Sequence, residues 1–148
     1  MTELATGRVG VAAATEPEIG ASATVNLVVR ESDCASALKL SDDPRDNFPA
    51  VFATTRMIAL MELAGARLLH PLLRPGEMSV GAHVDVSHTA ATPIGAKVTA
   101  SATYRGHDGK LFVFDVIAHD PGGEIGRGTH KRAIVSRDRL IAGAAKRR

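Results

Sequence analysis

Residues 54–70, TTRMIALMELAGARLLH, are the stretch of sequence that decides the fold. The stretch opens with threonines, which can cap a helix, and it ends just before Pro71, so it predicts one long helix over 54–70. Apart from Arg56 and Arg67, which share one narrow stripe, nearly every side chain is apolar or small. A helix that is apolar almost all round is typical of a buried element, so we expect a sheet to wrap around it.

The rest of the chain is dominated by alternating patterns. Apolar and polar side chains alternate in five segments, 21–29, 79–88, 98–104, 111–118 and 124–135. The turn sequences ATPIG, GHDG and HDPGG separate the last four of them, which is typical of an antiparallel meander. Residues 30–49 are rich in Asp and Pro and predict a loop with one helical turn at most. Together these elements predict an α+β domain in which one sheet covers one helix.

Length and composition limit the possible classes of protein. For 148 residues we expect one domain over 19–136, between a flexible arm over 1–18 and a basic, frayed tail over 137–148. Cys34 is the only cysteine, which excludes an internal disulfide and favours a reducing compartment, so we expect a cytoplasmic protein. A net charge of +2 and an aromatic content of 3% argue against nucleic acid as a partner. No apolar run approaches the roughly 20 residues of a membrane span, and MTELATG lacks the features of a secretory signal, so we expect no membrane partner.

Glu62 stands out because it lies in the apolar helix, away from the arginine stripe. Its neighbours one turn away offer no side chain that can pair with a carboxylate. Unless donors meet it, burial should raise the pKa of this carboxyl above about 4.3, which suits a base or a nucleophile. The alternative is a glutamate exposed at the helix flank or paired across an interface. Either Thr54 or Thr55 could line the same cleft, or could only cap the helix.

His88 has the strand parity of four apolar residues, Val80, Ala82, Val84 and Val86. This parity predicts that His88 points toward the helix at the end of its strand, the alternative being a core histidine satisfied by the backbone. His83 has the opposite parity, which weakens a two-histidine metal site.

Other polar side chains give weaker signals. No metal-ligand spacing or phosphate loop is visible, so we expect no metal and no cofactor. We expect the remaining histidines at the surface, namely His70, His107, His119 and His130. Arg127, Lys131 and Arg132 could meet phosphate groups but are more typical of a solvated face.

Three segments, FPAVFATTRMIALMELAGARLL, PGEMSVGAHVDVSHTAATPIG and AHDPGGEIGRGTHKRAIV, carry a resemblance to a known family. They resemble the fluoroacetyl-coenzyme A thioesterase-like branch of the hot dog fold superfamily, from about Ile19 to Val135. The resemblance implies a hot dog fold, a long central helix wrapped by an antiparallel β-sheet. It also implies hydrolysis of a short-chain acyl-coenzyme A (acyl-CoA) thioester by a homodimer with active sites at the subunit interface.

The resemblance assigns catalytic roles that periodicity leaves open. By the family's motifs, Thr54, Glu62 and His88 form the catalytic set, and Thr54 is favoured over Thr55. Glu62 then activates water or attacks the thioester carbonyl, and His88 acts as a general acid and base. Thr54 orients the reacting groups and shares its proton.

Substrate-binding roles follow from the same resemblance. Gly81 matches a glycine whose backbone approaches the acyl group, and Phe48 matches one aromatic residue of the lid. Arg132 matches an arginine of the last strand and is assigned to substrate binding. Arg45 stands where the fluoroacetyl-selective member has a second lid phenylalanine, so fluoroacetyl selectivity does not carry over from the resemblance.

Other functions remain as alternatives. A hot dog enoyl-CoA hydratase pairs an aspartate with a histidine five residues on, whereas Asp85 and His88 have a different spacing and opposite parity, which disfavours this activity. A protein that binds acyl-CoA or another small ligand without hydrolysis is the alternative from a different class. A purely structural dimer would bind no thioester at all.

Overall fold

Five strands and two α-helices make up the fold in the computed structural model, which describes residues 15–148. They are β1 (Ser22–Val28), α1 (Thr54–Leu69), β2 (Glu77–His88), β3 (Lys97–Asp108), β4 (Leu111–Asp120), β5 (Gly123–Ser136) and α2 (Arg137–Ala145). All strand pairs are antiparallel and the sheet order is β1-β3-β4-β5-β2. The predicted α+β architecture is confirmed, and most of the arm predicted over 1–18 lies outside the described residues.

One face of α1 packs against the sheet and forms the core with β3 and β4. The core side chains include Met57, Leu60, Met61, Ala64, Leu69, Val98, Ala100, Ala102, Tyr104, Phe112, Phe114, Val116 and Ala118. Full burial of a large apolar side chain contributes about 1.5–3 kcal/mol, so this face fixes α1 on the sheet. The opposite face stays open, with Leu63 40% exposed. A single chain therefore does not wrap the whole helix, although the helix is apolar almost all round.

A β-bulge in β2 changes which of its residues face α1. The pairing register with β5 shifts between Gly81 and His83, which leaves Ala82 as the extra residue. One extra residue reverses the side-chain parity, so Gly81 faces α1 before the bulge and His88 faces it after the bulge. The parity prediction is right for His88 and wrong for Val80, because it assumes an unbroken alternation along the strand.

Two segments have more regular structure than the sequence predicts. The loop between β1 and α1 contains three short 3₁₀ turns, Glu31–Asp33, Ala35–Ala37 and Pro44–Asp46, where one helical turn at most is predicted. The basic segment after β5 forms α2 instead of a frayed tail, and Ser136 Oγ accepts a hydrogen bond from the Arg139 backbone N–H at 3.3 Å. None of the helices in residues 15–148 has both the length and the apolar character needed to cross a membrane.

Candidate active site

The first turn of α1 and the last residue of β2 bring a hydroxyl and an imidazole together. Oγ1 of Thr54 lies 2.7 Å from Nδ1 of His88. Ala53 is the N-cap residue of α1 and has no side-chain group that can cap the helix, and the Thr54 hydroxyl bonds the imidazole instead of the helix end. A hydroxyl within hydrogen-bond distance of a histidine is an arrangement that can move a proton between the two groups.

The other ring nitrogen of His88 is also distinctive. Nε2 is buried and has no hydrogen-bond partner among residues 15–148. A buried polar group without a partner costs about 1–3 kcal/mol, and such groups are uncommon outside functional sites. Neither ring nitrogen bonds to the backbone, so His88 does not match the alternative of a core histidine satisfied by the main chain.

Thr54 and His88 line an open cavity of about 320 Å³. The rest of its wall is mostly apolar and consists of Ala35, Val51, Phe52, Ala53, Thr89, Ala90 and Ala91. This volume lies at the low end of the range for small-molecule sites, about 300–1,000 Å³. Phe48, the predicted lid aromatic, is 52% exposed and is not part of this wall.

A buried carboxylate fixes the beginning of α1. Asp33 is fully buried and accepts hydrogen bonds from the guanidinium groups of Arg30 and Arg56, the latter at 2.6 Å. These donors, Arg30 first, hold the pKa of Asp33 well below its usual range, although burial opposes the shift. The Asp33 carbonyl also accepts from the Ala53 N–H at 3.0 Å, so the ion cluster lies directly before Thr54.

Glu62 lies about two turns further along α1 and meets different partners. Its Oε2 lies 3.4 Å from Nη1 of Arg132, and its side chain is 38% exposed. A Cβ placed on Gly81 would lie 2.8 Å from the same oxygen, so the absence of a side chain at Gly81 makes room for the carboxylate. The helical neighbours of Glu62 offer no partner, and the donor that meets it, Arg132, comes from a strand distant in sequence. Among residues 15–148, no hydrogen bond joins Glu62 to Thr54 or His88.

Arg132 is buried at 7% exposure and does not lie on a solvated face. It donates from Nε to Ser79 Oγ and from Nη2 to the Ser79 carbonyl, both at 3.0 Å. Burial lowers the pKa of Arg132, and the neighbouring Glu62 carboxylate opposes this shift. The buried guanidinium group of Arg132 therefore contacts Glu62 on the side of the carboxylate that faces the interior.

His130 is a site residue that the sequence analysis misses. It is 1% exposed and its Nε2 lies 3.2 Å from Nη1 of Arg132, so the expected surface position is wrong for this histidine. The usable signal is its spacing from Arg132, since residues two apart on a strand share a face. His70, His107 and His119 are exposed, as predicted. In the part of the chain that the structure describes, no group of three or more His, Cys, Asp or Glu side chains is placed to hold a metal ion.

Comparison with known proteins gives matches over most of the chain. Residues 29–138 match the model of the FlK family, fluoroacetyl-CoA-specific thioesterase. The fluoroacetyl-CoA thioesterase of Streptantibioticus cattleyicolor is 47% identical over 95 residues, which are 64% of this chain and 68% of that protein. A solved structure of the fluoroacetyl-CoA thioesterase FlK is 39% identical with a TM-score of 0.83, over 88% of this chain and 97% of that one.

More distant relatives share the architecture. A thioesterase superfamily member from Thermus thermophilus is 25% identical with a TM-score of 0.77, over 90% of this chain and 94% of that one. A hot-dog-like protein from Thermanaerovibrio acidaminovorans is also 25% identical, with a TM-score of 0.72, over 88% of this chain and 92% of that one. The helix and curled antiparallel sheet therefore form a hot dog fold, as the resemblance implies.

Proposed function

Because the chain belongs to the FlK family of fluoroacetyl-CoA-specific thioesterases, we propose that Thr54, Glu62 and His88 hydrolyse a short-chain acyl-CoA thioester. The family makes the chain an acyl-CoA thioesterase, and the proposal concerns the acyl group and the residues that act on it. The observation that carries it is the 2.7 Å hydrogen bond between Thr54 Oγ1 and His88 Nδ1 beside a small, mostly apolar cavity. A small cavity favours a short acyl group over a long one.

The proposed reaction replaces the thioester C–S bond with a C–O bond from water. Glu62 takes a proton from the attacking water, or attacks the carbonyl carbon itself and is later released by water. The coenzyme A sulfur leaves with a proton from His88, whose Nε2 has no hydrogen-bond partner among residues 15–148. Thr54 orients the imidazole through Nδ1 and shares its proton. Each positioned acid or base typically contributes about 10²- to 10⁴-fold in rate.

We further propose that a second copy of the chain completes the site. β2 is an edge strand of 12 residues, and its middle is exposed in the single chain. Leu63 and Val84 are each 40% exposed on α1 and β2, an apolar surface that a second subunit would cover. In such a homodimer, Glu62 of the partner subunit can approach the Thr54–His88 pair, which would explain why no hydrogen bond joins these groups within one chain.

Mixed dimers test whether the site is shared. A Glu62→Gln subunit and a His88→Ala subunit are each expected to form inactive homodimers. A mixed dimer holds one intact site if Glu62 and His88 come from different subunits, so mixing is expected to restore about half of the wild-type rate per mixed dimer. No recovery in a mixture shown to contain mixed dimers would contradict the shared site, and a monomer in sedimentation analysis would contradict the dimer.

A substrate panel tests the proposed acyl group. Fluoroacetyl-, acetyl-, propionyl- and longer acyl-CoA thioesters are each supplied, and free thiol is followed. We expect thiol release to be fastest with the shortest acyl groups. A preference for long chains, or binding without thiol release, would contradict the proposal. Calorimetry with free coenzyme A, which bears no acyl group, measures how much of the binding comes from the coenzyme A part alone.

The proposal includes a cytoplasmic location and no nucleic acid partner. Cys34 is a fully buried free thiol, which is typical of proteins in reducing compartments. An aromatic content of 3% offers few side chains for base stacking. Cell fractionation tests the location, and a gel-shift assay with DNA and RNA tests the exclusion of nucleic acid.

A further inference from the structure

The guanidinium group of Arg132 is held on three sides inside the fold. Ser79 accepts from Nε and Nη2 at 3.0 Å each, and His130 Nε2 lies 3.2 Å from Nη1. The fourth contact is with Glu62, whose Oε2 lies 3.4 Å from the same Nη1. Nη1 carries two hydrogens, so it can donate to both His130 and Glu62. The position of the Glu62 carboxylate is thus tied to the groups that orient Arg132.

The hydrogen-bond partners of His130 fix its protonation state. Nδ1 lies 2.8 Å from the His83 carbonyl, which only accepts, so Nδ1 carries a hydrogen. Nε2 faces Arg132, which only donates, so Nε2 carries a lone pair. The imidazole is therefore neutral with its hydrogen on Nδ1, and a second proton would place two N–H groups against each other. Burial lowers the pKa of His130 and the charge of Arg132 adds to the shift, whereas the hydrogen bond to the His83 carbonyl and the Glu62 carboxylate oppose it.

Two glycines lie beside these groups, and one of them, Gly81, makes room for the Glu62 carboxylate. A Cβ on Gly65 of α1 would lie 3.5 Å from Arg132 Cδ and 3.5 Å from His130 Cδ2, which is ordinary contact. A Cβ on Gly81 would lie 2.8 Å from Glu62 Oε2 and 3.3 Å from His130 Cε1, which is too close for the carboxylate. The helix, β2 and β5 thus enclose His130 and Arg132. Glu62, which Arg132 contacts, is the half-exposed member of the three.

We infer that His130 is a positioning residue, which accepts from Arg132 and so fixes the guanidinium that holds the Glu62 carboxylate for thioester hydrolysis. The inference rests on the proposed catalytic role of Glu62. It changes the role of Arg132 from binding substrate to orienting the carboxylate. His130 touches no reacting atom, so its effect is expected in kcat and not in KM.

Two substitutions separate the two hydrogen bonds of His130. An asparagine places an amide N–H near the position of Nδ1 and is too short to reach Arg132, whereas the amide oxygen of a glutamine reaches the position of Nε2. We expect His130→Asn to lower kcat at least tenfold while its KM stays within about threefold of wild type. We expect His130→Gln to keep most of the wild-type kcat. Equal losses in both variants, tracking their melting temperatures, would overturn the inference in favour of a purely structural role.

Tyr104→Phe is the matched control. Tyr104 is fully buried on β3 and its hydroxyl donates to Glu16 at 2.7 Å, outside the His130 network. The control also loses one hydrogen bond of a buried ring, so we expect a lower melting temperature with unchanged kcat. A loss of kcat in this control equal to that of His130→Asn would also assign the effect to stability.

Glu62→Gln distinguishes failure of the inference from failure of the proposed function. If Glu62→Gln keeps wild-type kcat, the catalytic role of Glu62 fails and the inference fails with it. If Glu62→Gln is inactive and His130→Asn is wild type, only the inference fails. The double variant is expected to lose no more rate than Glu62→Gln alone, because both residues act through one carboxylate.

A measurement on the wild-type protein remains decisive if the variants do not fold. Nitrogen-15 NMR of labelled histidines reports which ring nitrogen carries hydrogen. We expect His130 to be neutral with hydrogen on Nδ1 at pH 7.5. Hydrogen on Nε2, or on both nitrogens, would overturn the inference, because Nε2 could not then accept from Arg132.

Discussion

Oγ1 of Thr54 and Nδ1 of His88 form a 2.7 Å hydrogen bond between residues 34 positions apart in the chain. Replacing Thr54 by Val keeps the shape of the side chain and removes the hydroxyl. We expect kcat for acyl-CoA hydrolysis to fall about 10²- to 10⁴-fold, because His88 loses the group that orients it and shares its proton. Thr54→Ser keeps the hydroxyl and is expected to keep most of the rate.

Thr55 supplies the control for that experiment. It is exposed beside Thr54 in the first turn of α1. Thr55→Val makes the same chemical change one residue away and is expected to leave kcat unchanged. Equal kinetics of the Thr54→Val and Thr55→Val variants would contradict the role of Thr54.

Gly81 gives a prediction based on space. An added Cβ would lie 2.8 Å from Glu62 Oε2, a distance that Cβ contacts in proteins essentially never show. Gly81→Ala is therefore expected to displace the Glu62 carboxylate and to lower kcat tenfold or more in a thiol-release assay. Gly143→Ala, where a Cβ would meet nothing within 4 Å, is the control and should keep the wild-type rate. A Gly81→Ala enzyme with wild-type kcat would show that the position of the carboxylate does not matter.

The sequence predicts the elements well because their signals are local. Helical periodicity with a following proline predicts α1 to within one residue of its end at Leu69. The alternating patterns predict all five strands. The bulge at Ala82 escapes prediction because alternation has no local mark of an inserted residue, and the pairing of β2 with β5 creates it.

The contacts of Glu62 escape prediction for a different reason. Its helical neighbours offer no partner, and Arg132, 70 residues away, reaches it through the fold. Periodicity predicts the face of the helix or strand on which a side chain lies, but it does not predict which residue distant in sequence the side chain contacts. His130 is missed only in part for this reason: the His83 carbonyl is distant in sequence, whereas Arg132 lies two residues away on the same strand and offers a local signal.

The lowered pKa of Asp33 leads to a prediction of how the free energy of unfolding depends on pH. Arg30 and Arg56 lower the pKa of this buried carboxyl in the folded state, so its contribution is complete above its unfolded pKa of about 3.9 and is lost as the pH falls below it. Asp33→Asn keeps one acceptor oxygen but removes the charge, so the hydrogen bonds from Arg30 and Arg56 weaken by a total that we take as about one hydrogen bond to a charged group, roughly 1.5–3 kcal/mol. We expect urea denaturation at pH 7 to show a loss of about 1.5–3 kcal/mol.

The difference in free energy of unfolding between wild type and Asp33→Asn should become smaller at acidic pH. Wild type loses stability progressively as the pH falls below about 4 toward the lowered pKa of the folded state, because Asp33 takes up a proton on unfolding, and Asp33→Asn lacks this contribution. Asp43→Asn is the control, because Asp43 is also paired with an arginine but at the exposed surface. It is expected to change stability much less than Asp33→Asn, because solvent screens an exposed ion pair. A deficit for Asp33→Asn that stays constant down to pH 3 would contradict the assignment to Asp33.

Arg45 leads to a prediction about acyl-group selectivity. It lies in the 3₁₀ turn Pro44–Asp46, 88% exposed, and its guanidinium donates to Asp43 at 2.6 Å. The charged group thus points to solvent and pairs locally, at the position where the family resemblance implies a second lid phenylalanine. Arg45→Phe places a second aromatic ring three residues before Phe48 and is expected to raise the ratio of kcat/KM for fluoroacetyl-CoA over acetyl-CoA about 5- to 150-fold, since one small apolar contact discriminates by about 1–3 kcal/mol.

Arg45→Ala separates the gained aromatic ring from the lost ion pair. It removes the contact with Asp43 without adding apolar surface, so we expect the selectivity ratio to stay at the wild-type value. Both ratios come from thiol release with the two thioesters at matched concentrations. An equal rise in the Ala and Phe variants would assign the effect to release of the turn, and an unchanged ratio in both would place the selectivity in the wall around Thr54 and His88 instead of in the lid.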